Sequence, residues 1–194
     1  MRLCIGRHDA LVLVDIQNDF CPGGALPTQD GDAVVPVANA LLACFIAQGA
    51  LIVATRDWHP ADHISFQQRG GPWPAHCVQG SVGAAFHPEL QLPKEAFVVS
   101  KGMLADEEAY SGFQRTPLHL ELQRNRIHRL FMAGLATEYC VRQTALDGLA
   151  FGYNVVVVED GVRGVESQPG DGNRALQEVM EAGGILARAA EVCK

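Results

Sequence analysis

Short apolar runs recur along the chain and are separated by amphipathic stretches. The runs are continuous rather than alternating, which is typical of strands that are covered on both faces in a parallel sheet. They cover residues 10–14, 50–55, 96–100, 128–133, 154–159 and, more weakly, 184–187.

The stretches between the runs have helical character. The first covers residues 36–49, and it begins with proline and ends at glycine, as helices often do. In another, Val141, Ala145 and Leu149 form one stripe at helical spacing. The predicted helices are 36–49, 112–125, 138–152 and 172–183. The alternation predicts a doubly wound α/β fold with a mostly parallel six-stranded sheet, helices on both faces and a single domain over 1–194.

One region breaks this rhythm. Residues 56–93 are rich in glycine, proline, tryptophan and histidine and contain little helical periodicity. A loop of this length inside a compact domain usually carries function. We therefore expect a long functional loop inserted between two strands.

Composition excludes several classes of partner. The 194 residues carry a net charge of −7, with 15 Lys plus Arg and no basic run, which argues against nucleic-acid or membrane-surface binding. The longest apolar stretch is too short to cross a bilayer, and there is no secretory signal, so we expect a cytoplasmic protein.

The six cysteines contain no Cys-x-x-Cys motif. In a cytoplasmic protein, scattered cysteines of this kind predict reduced thiols rather than a disulfide framework. We expect Cys4, Cys44 and Cys193 to be ordinary thiols, and Cys21 and Cys77 to pack near the site described next.

The four first predicted strands are each followed by an ionisable or nucleophilic residue. In an open α/β sheet these carboxyl ends meet at one edge, where ligands bind. The residues are Asp15, Asp57, Lys101 and Cys140. Asp15 is a candidate base, Cys140 a nucleophile and Lys101 a source of positive charge. Taken singly, Asp15 also fits a turn cap and Lys101 a solvated strand end.

Cys140 lies about three residues into a predicted helix that Thr137 could cap. The free N–H groups of such a turn would lower the pKa of the thiol and could hold an oxyanion. The alternative is a small buried residue on the core face, which is favoured on position alone.

The long loop contains candidate metal ligands. Asp57 and His59 share one side of an extended segment, and His63 and His76 follow within 20 residues. Carboxylate and imidazole ligands suit zinc, iron or manganese. The alternative is a hydrated loop with surface histidines, as we expect for His8, His87, His119 and His128.

Six ordered motifs bring a family resemblance. The chain resembles the nicotinamidases, also called pyrazinamidases, of the isochorismatase-like hydrolase superfamily, from about residue 10 to residue 185. The motifs are Asp-Ile-Gln-Asn-Asp-Phe at 15–20, Thr-Arg-Asp-Trp-His-Pro at 55–60, Trp-Pro-Ala-His-Cys at 73–77, Ser-Lys-Gly at 100–102, Ala-Tyr-Ser-Gly-Phe at 109–113 and Gly-Leu-Ala-Thr-Glu-Tyr-Cys-Val at 134–141.

The resemblance implies an enzyme that hydrolyses nicotinamide to nicotinate and ammonia in NAD salvage, through a thioester. It implies a catalytic triad of Asp15, Lys101 and Cys140. It also implies a cis peptide before Ala136, with the N–H groups of Ala136 and Cys140 as an oxyanion hole. The aromatic walls of the pocket correspond to Phe20, Trp73 and Tyr110.

The resemblance further implies one divalent metal ion, with zinc the first choice over iron or manganese. Its ligands correspond to Asp57, His59 and His76, and some members add the histidine that matches His63. Members are often oligomers, which carries the expectation of a homo-oligomer. The only other partner expected is the small-molecule substrate.

Other protein classes share parts of this pattern. Isochorismatases lack the cysteine nucleophile, and carbamoyl and ureido amidohydrolases generally lack the Asp-x-His metal motif; the latter group, with other aromatic amidases, is the main alternative. A non-catalytic sensor is disfavoured because Asp15, Lys101 and Cys140 are all present. A dinucleotide-binding oxidoreductase would need a glycine-rich motif after the first strand. Residues 15–18 follow that strand here, and their sequence Asp-Ile-Gln-Asn contains no glycine.

Overall fold

The computed structural model describes residues 3–193. Its centre is a six-stranded sheet in the order β3-β2-β1-β4-β5-β6, with every neighbouring pair parallel. The strands are β1 (Asp9–Val14), β2 (Leu51–Asp57), β3 (Phe97–Lys101), β4 (Arg129–Leu135), β5 (Asn154–Arg163) and β6 (Ile185–Ala187). The predicted α/β fold with a parallel sheet is confirmed.

Helices cover both faces of the sheet. They are α1 (Val34–Ala47), α2 (Leu118–Arg124), α3 (Arg142–Ala150), α4 (Asp171–Glu181) and α5 (Ala189–Val192). Within residues 3–193 no helix is both long and apolar enough to cross a membrane.

Two predicted helices differ from the observed ones. The helix predicted from residue 112 begins only at Leu118, because Pro117 stands at its N-cap and the preceding residues form turns. The helix predicted over 138–152 is divided into a π-helical turn, Thr137–Val141, and α3. α5 was not predicted, since its four residues are too few to show a period.

Two apolar layers explain why the strands are apolar throughout. On one face, Leu11 and Leu13 belong to a buried cluster with Leu41 and Phe45 of α1. On the other face, Ala10, Val12 and Val14 of β1 pack with residues of α2 and α3. Each large side chain that is fully buried contributes about 1.5–3 kcal/mol, so both layers hold the sheet in place.

The long loop after β2 is irregular, apart from a short 3₁₀ turn at Gln67–Arg69. Isolated bridges join His59 to Val78 and Gln17 to Phe86. The Asp19 carboxylate also accepts a hydrogen bond from the Cys77 N–H, at 2.7 Å. These contacts fold the loop back over the carboxyl ends of the strands.

The expectation that all cysteines are reduced is wrong for one pair. Cys44 in α1 and Cys193 near the chain end form a disulfide, with their Cα atoms 5.7 Å apart. The two residues are 149 positions apart, so sequence spacing gives no sign of their proximity. Cys4, Cys21, Cys77 and Cys140 are free.

Candidate active site

The four residues predicted at strand ends do meet at one edge of the sheet. Asp15 follows β1, Asp57 ends β2, and Lys101 ends β3 directly opposite Asp57. Cys140 lies in the π-helical turn after β4. All four are buried, with at most 5% of each residue exposed.

The Lys101 ammonium lies at the centre of this group. Its Nζ is 2.9 Å from Asp15 Oδ2 and 3.2 Å from Cys140 Sγ, and it also contacts Asp57 Oδ1. Burial alone would lower the pKa of Lys101, but the two carboxylates outweigh burial and raise it well above its usual value. The lysine is therefore a fixed positive charge rather than a base.

Asp15 has one oxygen anchored and one available. Thr55 Oγ1 donates to Oδ1 at 2.6 Å. Oδ2 is buried and has no directional hydrogen bond within residues 3–193, although it forms the ion pair with Lys101. Burial raises the pKa of Asp15, and Lys101 opposes this rise. Asp15 Oδ2 is thus suited to accept a proton.

The environment of Cys140 differs from the sequence expectation. Burial raises the pKa of the thiol well above its usual value, and the positive charge of Lys101 lowers it only in part. The predicted Thr137 cap is also not formed, since the turn has no side-chain cap hydrogen bond. The expected low pKa is therefore wrong, because burial raises the pKa of the thiol more than Lys101 lowers it. Cys140 rests as a thiol and needs a base.

Asp57, His59 and His76 form a buried group with the chemistry of a metal site. Asp57 Oδ2 is 3.4 Å from His59 Nε2 and 3.9 Å from His76 Nε2. One donor atom from each residue lies within 4.8 Å of the others. A carboxylate and two imidazoles are donors that suit zinc.

The other nitrogen of each histidine is already engaged. His59 Nδ1 lies 2.9 Å from the Gly102 carbonyl, and His76 Nδ1 lies 2.8 Å from the Pro74 carbonyl. Since a carbonyl can only accept, each Nδ1 carries a hydrogen, and each Nε2 is the ring atom that faces Asp57 and could bind an ion. Gly102 also leaves room for the ring, because a Cβ there would lie 2.4 Å from His59 Cε1. The residues fit a divalent ion.

His63 lies beside this group but outside it. Its ring stacks on His59 with centroids 4.1 Å apart. Nδ1 is 2.7 Å from Ser65 Oγ and Nε2 is 2.9 Å from the Glu107 carbonyl. Both ring nitrogens of His63 are in hydrogen bonds, and in this geometry His63 packs against His59 rather than facing Asp57.

Gln17 lies beside the site and was not singled out from the sequence. It is completely buried, and its Oε1 accepts the Asp57 N–H at 2.8 Å. Its Nε2 donates to the carbonyls of Asp57 and Ala84 at 2.8 and 2.9 Å. Gln17 thereby fixes the backbone that carries Asp57. Its position in the 15–20 motif was a signal, but only the structure shows the three bonds.

An aromatic pocket leads to the thiol. Asp57, His76, Ala136 and Cys140 contribute to its lining. The three aromatic residues expected from the sequence, Phe20, Trp73 and Tyr110, all line the pocket. Leu26, Tyr139 and Val165 complete its walls.

The aromatic walls are held together by their own contacts. Trp73 Nε1 donates to the Tyr110 hydroxyl at 3.0 Å. The Tyr139 ring meets Trp73 edge-on, with centroids 5.2 Å apart. Flat walls of this kind suit a flat aromatic ligand.

The turn that carries Cys140 has the backbone that the resemblance implies. The peptide between Leu135 and Ala136 is cis. The Ala136 carbonyl accepts hydrogen bonds from the N–H groups of Tyr139 and Val141, at 3.1 and 3.2 Å. Ala136 thus lines the pocket beside the thiol.

Fold and site together define a class. Residues 9–191 match the isochorismatase domain, and the chain belongs to this family.

Within this family, the chain is similar over most of its length to nicotinamidases and a pyrazinamidase. The chain is 43% identical to the nicotinamidase of Escherichia coli, over 91% of this chain and 93% of the relative. Among solved structures, a zinc complex of the pyrazinamidase of Pyrococcus horikoshii has a TM-score of 0.90 and 49% identity, covering 93% of this chain and 99% of that one. PnC1 from L. infantum, in complex with nicotinate, has a TM-score of 0.90 and 34% identity, with 98% of both chains covered.

Proposed function

We propose that the chain is a nicotinamidase, a metal-dependent cysteine amidohydrolase that converts nicotinamide to nicotinate and ammonia and also accepts pyrazinamide. The observation that carries this proposal is the buried cluster of Asp15, Lys101 and Cys140 beside a pocket with aromatic walls. The similarity to nicotinamidases over most of the chain supports the same substrate.

The pyridine ring lies between the aromatic walls, with the carboxamide carbon against Cys140 Sγ. Asp15 Oδ2 takes the thiol proton, and the sulfur attacks the carboxamide carbon. The N–H groups of Ala136 and Cys140 stabilise the negative oxygen that develops. Asp15 then gives the proton to the departing nitrogen, ammonia leaves and a thioester remains.

Hydrolysis of the thioester uses the same base. Asp15 takes a proton from water, whose oxygen attacks the thioester carbon. The sulfur leaves and regains a proton from Asp15, and nicotinate departs. Throughout both halves Lys101 stays protonated and offsets the negative charge shared by the carboxylate and the sulfur. Covalent catalysis divides one difficult step into two easier ones.

Asp57, His59 and His76 would hold the divalent ion, for which zinc is our first choice over iron and manganese. When bound, such an ion would supply a Lewis-acid contact for the ring nitrogen of the substrate. Gln17 holds the Asp57 backbone, and the Gly102 and Pro74 carbonyls orient the two imidazoles. We further propose a cytoplasmic enzyme of NAD salvage.

The test is ammonia release from nicotinamide, pyrazinamide and a carbamoyl amino acid, assayed side by side with wild type and Cys140→Ala. We expect wild type to act on the two aromatic amides. The Cys140→Ala variant should lose at least about 10⁴-fold in kcat, as other enzymes do without their nucleophile, while keeping the fold. Preference for the carbamoyl substrate would favour the ureido amidohydrolase alternative, and appreciable activity of Cys140→Ala would refute the nucleophile assignment.

A further inference from the structure

Glu138 has an environment that the mechanism above does not use. It lies in the π-helical turn between Ala136 and Cys140. Its Oε1 accepts a hydrogen bond from the Glu166 N–H at 2.7 Å. Its Oε2 is buried and has no hydrogen-bond partner within residues 3–193. A carboxylate buried in this way costs stability, so its contact with residue 166 needs an explanation.

The segment that it contacts forms part of the pocket. Val165 lines the pocket beside Tyr139 and Cys140. Gly164, on its other side, passes so close to Glu138 that a Cβ there would lie 2.5 Å from Oε2. Gly164 and Glu166, the two residues that flank Val165, therefore both contact the Glu138 carboxylate.

The far side of the segment is fixed as well. Glu166 adopts a left-handed backbone, with φ of 53°. Its carboxylate accepts the N–H groups of Gly170 and Gly172, at 2.7 and 2.8 Å, where α4 begins. Two carboxylates in series thus tie the Val165 wall, through its backbone, to the turn that carries the thiol and to a helix.

We propose that Glu138 is a positioning residue which holds Val165 against the substrate ring and so sets the width of the pocket. This proposal rests on the proposed function, because the ring is that of nicotinamide. Glu138 itself touches neither substrate nor reacting atoms. Without its carboxylate the 164–166 segment loses this contact, and Val165 can move away from the substrate ring.

Kinetics separate positioning from a general structural role. For Glu138→Ala we expect KM for nicotinamide to rise about tenfold, the scale of a lost hydrogen bond to a charged group, with kcat changed much less. The ratio of kcat/KM for a ring-methylated nicotinamide to that for nicotinamide should increase. Glu138→Gln, which keeps the acceptor oxygen, should restore wild-type values, and the exposed Glu181→Gln serves as the matched control.

A double-mutant cycle links the effect to the wall. Val165→Ala should raise the same ratio, and combining it with Glu138→Ala should add little, because both changes remove one wall. Fully additive effects would overturn the proposal. So would a loss in kcat that is equal for both amides, since that pattern indicates damage to the thiol turn.

A readout without turnover keeps this inference separate from the proposed function. In Glu138→Ala, the Glu166 amide should exchange with deuterium faster than in wild type and in Glu138→Gln. Alkylation of Cys140, followed by peptide mass spectrometry, should accelerate more for N-phenylmaleimide than for iodoacetamide. If wild type releases no ammonia from nicotinamide, the proposed function fails while these results still stand. If exchange and alkylation are unchanged, the role of Glu138 fails alone.

Discussion

Replacing Lys101 by methionine would test whether one ammonium holds the buried site together. Methionine matches most of the aliphatic stem, so the substitution removes charge with little change in packing. The substitution removes the buried cation that Asp15, Asp57 and Cys140 share, because Lys101 Nζ contacts all three side chains.

The cost follows from the carboxylates left behind. Removing one partner of a buried ion pair costs about 3–5 kcal/mol, because the other charge stays buried without compensation. The Lys101 charge also lowers the pKa of both Asp15 and Asp57, so in the variant both values rise. The folded variant then binds more protons than the unfolded variant. Its free energy of unfolding must therefore fall as the pH rises from the unfolded carboxyl pKa through the raised folded values. We expect the full cost at pH 8 and a smaller one at pH 5.

Urea unfolding in the presence of a chelator measures this cost. For a slope of about 2 kcal/mol per molar urea, the midpoint should fall by about 1.5–2.5 M at pH 8. Lys94→Met is the matched control, because Lys94 is exposed, and it should leave the midpoint unchanged. The reasoning is refuted if the two variants behave alike at pH 8, or if the Lys101→Met deficit is the same at both pH values.

Three further outcomes are expected. Because burial raises the pKa of Asp15, kcat/KM should increase with pH through a midpoint above the usual 3.8, and a profile that is flat down to pH 4 would contradict Asp15 as the base. His76→Ala should weaken zinc binding at least about 100-fold in competition with a chelating dye, and unchanged affinity would place the ion elsewhere. Thiol titration of the unreduced, urea-unfolded chain should give four thiols, and six after reduction, whereas six before reduction would exclude the Cys44–Cys193 disulfide.

The sheet was predictable because its signal is local. Each strand must be apolar on both sides, and the observed bounds of β1 and β2 differ from the predicted ones by one or two residues. The site followed from the sheet, since the carboxyl ends of parallel strands share one edge. Asp15 and Lys101 could therefore be grouped before any side chain was placed.

The failures concern properties that only the assembled structure fixes. The pKa of Cys140 depends on how many neighbours exclude water, and its place in a turn says nothing about them. Cys44 and Cys193 are 149 positions apart in the chain and meet only because the end of α5 packs against α1. Val165 lies in the loop after β5, and no periodicity shows that this loop returns to the pocket.

The register of one edge strand decides whether the site exists. Lys101 is the partner of Asp57 in the β2–β3 pairing, and parallel partners present their side chains on the same face. Within β3, Val99 is almost fully buried while Val98 is 41% exposed, so only one register places Val99 in the core. Lys101, two residues further on, shares the face of Val99. A slip of one residue would expose Val99 and turn Lys101 away from Asp15 and Asp57. The apolar pattern that selects the strand register thus also selects where the catalytic charge lies, which ties the chemistry of the site to the folding of the sheet.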